Sequence, residues 1–225
     1  MMEATSIPRD LFLAGFTTRT EDLASLAAAA AFRGKVYRLR QVHSSSIVVV
    51  DDERPEDIGR LEADALVTGR RGILLTVWVA DCVPVLLADR RGRCAAAVHA
   101  GWRGLAGRII PATLAAMISG FGVDPRDVAA SIGPSIGPCC YEVGEDVAES
   151  LAASCGDPSV VLRGEGRPAA DLRAVARRQL LGASVDPAAI DAVEACTRCN
   201  EARLFSHRRG DVTGRQCGLI GMLLR

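Results

Sequence analysis

The chain contains only three histidines, and two of them stand where they could join a cysteine in chemistry. His43 lies in the polar break QVHSSS, His99 closes the small-residue run CAAAVHAG, and Cys82 sits in ADCVPV, one hairpin upstream of His99. Two imidazoles and one thiolate make three zinc ligands. They leave a fourth position for water, whose pKa zinc lowers to about 7. The same residues admit a second chemistry, with Cys82 as nucleophile and His99 as its base, because such dyads are set by space and not by spacing. A third reading is structural: a buried thiol and two hydrogen-bonded histidines. No short zinc-binding spacing decides among the three.

Other polar groups cluster near these positions. Asp64 and Asp81 are carboxylates at strand ends, placed to move a proton. Arg103 in HAGWRG and Arg208 in FSHRRG are placed to hold an anion, helped by the free amides of a helix beginning after Gly101. Trp102 beside them is a packing residue or a stacking platform. Of the remaining cysteines, Cys94 and Cys155 read as structural. Cys196 and Cys199 form one CxxC, and Cys139 and Cys140 are adjacent. Four thiolates could build a structural zinc site, but zinc ribbons usually carry two CxxC pairs, which makes this set weaker than the His/Cys set. The CxxC ends a strand instead of opening a helix, which argues against a redox motif.

The elements that must position these groups alternate between strand and helix. Strand runs are expected within 6–18 (LFLAGFTT), at 36–40, 47–50, 63–69, 73–81, 83–89 and 94–101, and in the tail at 189–196, 202–210 and 216–225. Helices are expected at 21–32, with acidic residues in the first turn, at 103–120, at 145–153 and at 171–182. Pro111 implies a kink or a late start in the second of these. The segments 51–60, 131–144 and 156–170 read as loops, and RRGR with Gly92 reads as a turn. This pattern predicts one mixed α/β domain over 1–225, with largely antiparallel sheets flanked by helices.

Bulk composition narrows the function. The 27 basic and 27 acidic residues cancel, so no basic face argues for nucleic acid. All but one of the basic residues are arginine, the better fork for phosphate or carboxylate. The longest apolar runs fall far short of the ~20 residues a membrane span needs. No secretory leader is recognisable at the N-terminus, so a cytoplasmic protein with reduced thiols is expected. Nothing in the sequence assigns an oligomeric state.

Taken in order, QVHS, ADALVT, ADCVPVLLAD, VHAGWRG, SIGPSIGPCCYEVG and CT…LFSHRRG…TGRQ resemble the YfiH, or laccase-domain, family. That family is also described as polyphenol oxidases, peptidoglycan editing factors and purine nucleoside phosphorylases. The resemblance spans nearly the whole chain. It implies zinc at His43, Cys82 and His99. Beside those three, Asp81 is expected in the catalytic set, with Asp64 an equal candidate for proton transfer, and Gln41, Asp64, Arg103 and Arg208 are expected at the substrate. It implies phosphorolysis of adenosine, inosine, guanosine and methylthioadenosine, together with adenosine deamination, so the partners are purine nucleosides and phosphate. His207 lies where the family varies and stays outside the metal set. Ser44 stands where the family commonly has glycine, which narrows the approach to the metal or adds a hydroxyl there. Nucleobase deaminases keep a glutamate beside a zinc ligand, and none adjoins His43 or His99, so the mechanism must differ. Cu(II) competes for such ligands in vitro. Three histidines are too few for the centres of a multicopper oxidase, which argues against laccase activity. The alternative is a Cys82/His99 hydrolase that edits peptidoglycan precursors.

Overall fold

The computed structural model describes residues 1–29, 32, 36–50 and 55–224. Strands β1 (Met2–Glu3) and β2 (Phe12–Phe16) lead into helix α1 (Leu23–Ala29), followed by β3 (Val36–Tyr37), β4 (Ile47–Val50), the single turn α2 (Pro55–Ile58) and β5 (Ala65–Thr68). The strands β6 (Leu74–Val79), β7 (Val83–Asp89) and β8 (Ala95–Ala100) then run close together into helices α3 (Trp102–Ala106) and α4 (Ile109–Phe121). Beyond them come β9 (Val128–Ile132), α5 (Glu145–Cys155), the small hairpin of β10 (Val161–Leu162) and β11 (Ala169–Ala170), α6 (Leu172–Gly182), β12 (Ile190–Ala192) and β13 (Gln216–Met222).

Two sheets carry the fold. One has the order β1-β2-β13-β6-β3 and the other β12-β9-β7-β8-β5-β4. Among the described strands, only the pairs β12–β9, β3–β6 and β4–β5 are parallel. The expected mixed, mainly antiparallel α/β architecture is therefore what the chain adopts.

Alternation along β7 and β8 explains the layering. Val83, Val85 and Leu87, with Ala96 and Val98, face a helical layer built from Leu105, Ile109, Leu114, Leu151, Val175 and Leu180. The intervening Leu86 and Ala88, with Ala95 and Ala97, face Phe16, Leu75 and Val77 of the other sheet. Both faces are buried, which is why β7 reads as an unbroken apolar run. The alanines of β8 keep the layers close. His99 shares the parity of Ala95 and Ala97, so it points toward the space between the sheets.

The join between β6 and β7 matters most for the site. These strands are consecutive in sequence but belong to different sheets. Three residues, Ala80, Asp81 and Cys82, carry the chain across. Asp81 makes the corner with φ of 91°, a conformation uncommon outside glycine.

Several expected elements differ. The helix expected over 103–120 is two helices, broken where Arg108 takes φ of 59°. Pro111 is the third residue of α4, where a missing N–H costs nothing because first-turn amides lack an intrahelical partner. The left-handed stop is Gly122, and Gly120 lies within the helix. α1 starts at Leu23, with Asp22 accepting from the amides of Ala24 and Ser25, so the acidic residues precede its first turn. Residues 30 and 31 of that expected helix, and 51–54 of the expected charged loop, lie outside the described residues. The strand expected over 36–40 is confined to Val36–Tyr37, and an isolated bridge pairs Arg40 with Glu62. No strand forms at 202–210. Side chains there take the backbone groups a ladder would use. Phe205 exchanges two hydrogen bonds with the Gln216 amide, and Arg209 donates to the carbonyls of Thr197, Arg198 and Leu204. Strands β1 and β9 are additions, the latter hidden by its alanine-rich VAASI, and so are the β10–β11 hairpin within the expected loop 156–170 and the turn α2 within the expected loop 51–60. Among the described residues, no helix is long and apolar enough to cross a membrane.

Asp89, fully buried at the end of β7, anchors the RRGR turn. It accepts from Arg93 N at 3.0 Å, Nε at 2.7 Å and Nη2 at 3.0 Å. Burial opposes the charge, but the Arg93 bonds hold the carboxyl below its usual value. Asp89→Asn is expected to destabilise the fold by about 2 kcal/mol at neutral pH, with Arg93 partly solvated. A depressed pKa stabilises above the unfolded value of about 3.8 and ceases to do so as pH falls through the folded value. Urea unfolding of both proteins should therefore converge in acid. A constant difference across that range would mean that charge plays no part.

Candidate metal centre and its cavity

Three elements deliver the ligands expected from the sequence. His43 comes from the loop between β3 and β4 and takes φ of 59°, a left-handed conformation in which histidine is enriched among non-glycine residues. Cys82 leaves the corner between the sheets. His99 pairs across the hairpin with Pro84, so Cys82 falls opposite Gly101. The donor atoms of His43, Cys82 and His99 all lie within 4.8 Å of one another, and the two imidazoles meet edge to face with centroids 4.8 Å apart. A Cβ on Gly101 would stand 3.0 Å from His43 Cδ2 and 3.1 Å from Cys82 Sγ, so the side-chain-free backbone is what admits both groups.

Asp64 stands behind this triangle. Its Oδ1 is 2.7 Å from His99 Nδ1 and accepts from the His43 amide at 3.0 Å. Its Oδ2 accepts from Ser44 N at 2.6 Å, Ser44 Oγ at 2.8 Å and Val42 N at 3.3 Å. Burial opposes its charge, yet the bonds from His99 and Ser44 bring it down to about 2. An ionised carboxylate can only accept, so His99 Nδ1 donates and Nε2 is left for the centre. Burial disfavours a charged His99, but Asp64 and Cys82 raise it to about 9. Burial likewise disfavours the Cys82 thiolate, and the hydrogen bonds from His43 and His99 lower it to about 6. Two nitrogens and a sulfur, graded from exposed His43 to buried His99, suit a borderline-soft divalent metal approached from the His43 side.

The triangle forms part of the wall of a cavity of about 770 Å³, within the range of small-molecule sites. Arg38, Arg40, Arg208 and Arg215 line it, with Tyr141, His207 and Trp78. Arg208 stacks over Tyr141 at 5.1 Å and donates from Nη1 to the Glu142 carbonyl at 3.4 Å. Burial, with the nearby Cys82, raises the Tyr141 phenol to about 12 and keeps it a donor.

A family model described as multi-copper polyphenol oxidoreductase laccase matches residues 18–223. The chain belongs to this family. Within it, a protein of Deinococcus radiodurans named purine nucleoside phosphorylase is 41% identical over 205 residues, covering 90% of this chain and 76% of that protein. One from an unknown prokaryotic organism, named adenosine deaminase RL5, is 41% identical over 180 residues, covering 76% and 68%. The chain spans only 56% of a longer mouse relative named purine nucleoside phosphorylase LACC1. The crystal structure of YlmD from Geobacillus stearothermophilus superposes with a TM-score of 0.86 at 31% identity, over 95% of this chain and 92% of that one.

On this laccase-like scaffold the polar residues expected near the substrate take different places. Arg208 is on the cavity wall. Arg103 is not among its lining residues; it is exposed and stacks on Trp102 at 4.5 Å. Asp64 also lies outside the lining, fully buried behind the His43, Cys82 and His99 triangle. Gln41 and Asp81 line the cavity with their polar atoms engaged. Gln41 brackets the Trp78 backbone with two bonds of 2.8 Å, and Asp81 accepts from Thr197 Oγ1 at 2.5 Å and Arg208 N at 2.7 Å. The Ser44 hydroxyl turns to Asp64, away from the centre. Arg38, Arg40, Tyr141 and Arg215 escaped the sequence reading. Each is an ordinary member of its run, and only the meeting of the two sheet ends makes them neighbours.

Proposed function

We propose that this chain is a metal-dependent purine nucleoside phosphorylase that also deaminates adenosine, with zinc as its metal and His43, Cys82 and His99 as its ligands. The observation that carries the reading is the convergence of two imidazoles and one thiol on a nucleoside-sized cavity walled by arginines. The names of the relatives supply the substrate class. A metal held there with an open position supplies Lewis-acid polarisation to a substrate atom beside it.

The chain's own residues account for the rest. Phosphorolysis breaks the bond from ribose C1′ to the purine nitrogen, forms a bond from C1′ to a phosphate oxygen, and returns a proton to the departing base. Phosphate brings two negative charges to a wall that already holds four arginines, whose forks match its oxygens. His207 and the protonated Tyr141 are the wall groups able to donate toward the base. Arg208 is held by its stack on Tyr141, so its guanidinium is positioned before the anion arrives. Gln41 and Asp81 act as positioning residues, fixing the strand end and the Arg208 backbone. Asp64 positions His99 and the His43 loop.

Arg208→Ala keeps the amide that bonds Asp81 and removes one fork. It is expected to raise the KM for phosphate about tenfold while changing the KM for inosine little, a loss of ~1.4 kcal/mol. Arg103→Ala should do much less. Equal effects of the two substitutions on phosphate would remove Arg208 from the anion site.

One observation favours the alternative hydrolase: in the absence of metal, Cys82 is poised as a thiolate between two histidines. Iodoacetamide separates the readings. In metal-replete protein Cys82 should label slowly, labelling should accelerate after chelation, and nucleoside turnover should vanish with chelator and return with zinc. Fast labelling of replete protein, with turnover surviving chelation, would establish the cysteine nucleophile instead.

A further inference from the structure

A second group of sulfurs lies outside the cavity wall. Cys139 and Cys140 follow the turn after β9, and Cys196 and Cys199 lie beyond β12, about 60 residues later in sequence. All four Sγ atoms lie within 4.8 Å of one another. Cys199 Sγ is 3.8 Å from Cys139 Sγ and 3.5 Å from Cys140 Sγ. A tetrahedral ion with bonds of about 2.3 Å to sulfur sets its ligand sulfurs about 3.8 Å apart, so these separations suit the edges of such a tetrahedron. A disulfide needs two sulfurs at about 2.05 Å, and here all four cysteines are free, with Cys199 well beyond that distance from both Cys139 and Cys140. Here the four converge on one point.

Two independent features support a bound ion. The Gly137 amide donates to Cys196 Sγ at 3.3 Å, the kind of outer bond that orients a thiolate ligand. A Cβ on Gly137 would lie 3.3 Å from Cys139 Sγ and 3.4 Å from Cys196 Cβ, closer than ordinary contact, so glycine is what lets the sulfurs gather. Arg173 Nη2 lies 3.5 Å from where that Cβ would stand, with the Glu194 carboxylate 3.8 Å from it. The two segments are already aligned by the bridge between Ser135 and Cys196 and by the Thr197 amide donating to the Ser135 carbonyl at 3.0 Å.

We propose that Cys139, Cys140, Cys196 and Cys199 form a second, structural metal site that takes zinc in a closed tetrathiolate shell. All four positions are filled by protein, so the site stabilises and does not react. Its place in the fold states what it stabilises. Cys140 precedes Tyr141, and Cys196 precedes Thr197, which holds Asp81 at the corner between the sheets. An ion here ties together the two segments that form one side of the cavity.

Metal analysis of the purified full chain tests this independently of turnover. The unaltered protein should carry about two zinc ions per chain. The double variant H43A/C82A should keep one, and C139S/C199S should keep the other. Cobalt loaded into H43A/C82A should show the intense thiolate charge-transfer absorption of an all-sulfur tetrahedral site. Should C139S/C199S fail to fold, alkylation of the unaltered protein replaces it: the four cysteines should stay protected until a chelator is added. One metal per chain in the unaltered protein, with these cysteines reactive before chelation, would overturn the proposal. So would an intact mass lacking two hydrogens that maps to a disulfide among them. Complete loss of metal from H43A/C82A would count against this second site, whereas retention of both metals there would count against the first.

Discussion

Cys82→Ala is expected to cut nucleoside turnover by about three orders of magnitude, or ~4 kcal/mol in the barrier, and to release the cavity metal. The size follows from the ligand count. In the proposed centre three protein donors would hold the ion, the thiolate is the only charged one among them, and no fourth donor groups with them among the described residues. His99→Ala should match it, because the buried imidazole is the most firmly held ligand. His43→Ala should lose somewhat less, its ring being exposed and its place open to water. Fold loss is a weak explanation for such an effect, because Cys82 sits at a half-buried corner where removing one sulfur leaves the strands intact. Metal content, turnover and urea midpoint on the same preparations separate the cases. A metal-free Cys82→Ala protein that still turns over inosine at the original rate would end the metal reading.

Asp64→Asn should weaken metal binding about 10–100-fold without touching substrate, since outer carboxylates contribute about that much to a ligated histidine. The carboxylate accepts from His99, from Ser44 and from three successive backbone amides. An amide of the same shape must turn its NH2 toward one set of these donors. It then either releases the His99 tautomer or disturbs the His43 loop. Excess zinc should restore most of the turnover, which a purely structural lesion would not allow. Acid stability carries a second signature. Asp64 is depressed from 3.8 to about 2, so its charge stabilises the fold above about pH 4 and stops doing so as pH falls toward 2. In Asp64→Asn that part of the pH dependence should flatten. If metal affinity is unchanged in the variant, Asp64 has no positioning role.

The residues themselves carried the chemistry of the centre. Histidine and cysteine in a chain with so few histidines leave a short list of partners, and glycine at 101 beside a small-residue strand already implied close approach. The strands β7 and β8 were legible too, because each is a short apolar run and a glycine turn separates them. The helix after Gly101 was legible in extent and, through Pro111, in having a kink or late start, but not in where the break falls, since nothing in Gly107-Arg108 requires the left-handed turn that packing imposes. The strand expected at 202–210 misled for a related reason. It carries Leu204 and Phe205 but no β-branched residue, and what unmakes the ladder is Arg209 and Gln216 binding its backbone from within the folded chain.

The roles of the charged residues belonged to tertiary structure alone. Asp64 and Arg103 have the right types for a substrate site, and sequence cannot say which face of a strand end meets the cavity. Folding turned Asp64 inward to five donors and left Arg103 on the surface, while Arg38, Arg40 and Arg215 arrived from distant segments. The four cysteines are the sharpest instance. In sequence they are a pair of neighbours and a lone CxxC. They become one cluster only because the loop after β9 and the segment after β12 run side by side, an adjacency created by the parallel pairing of those two strands.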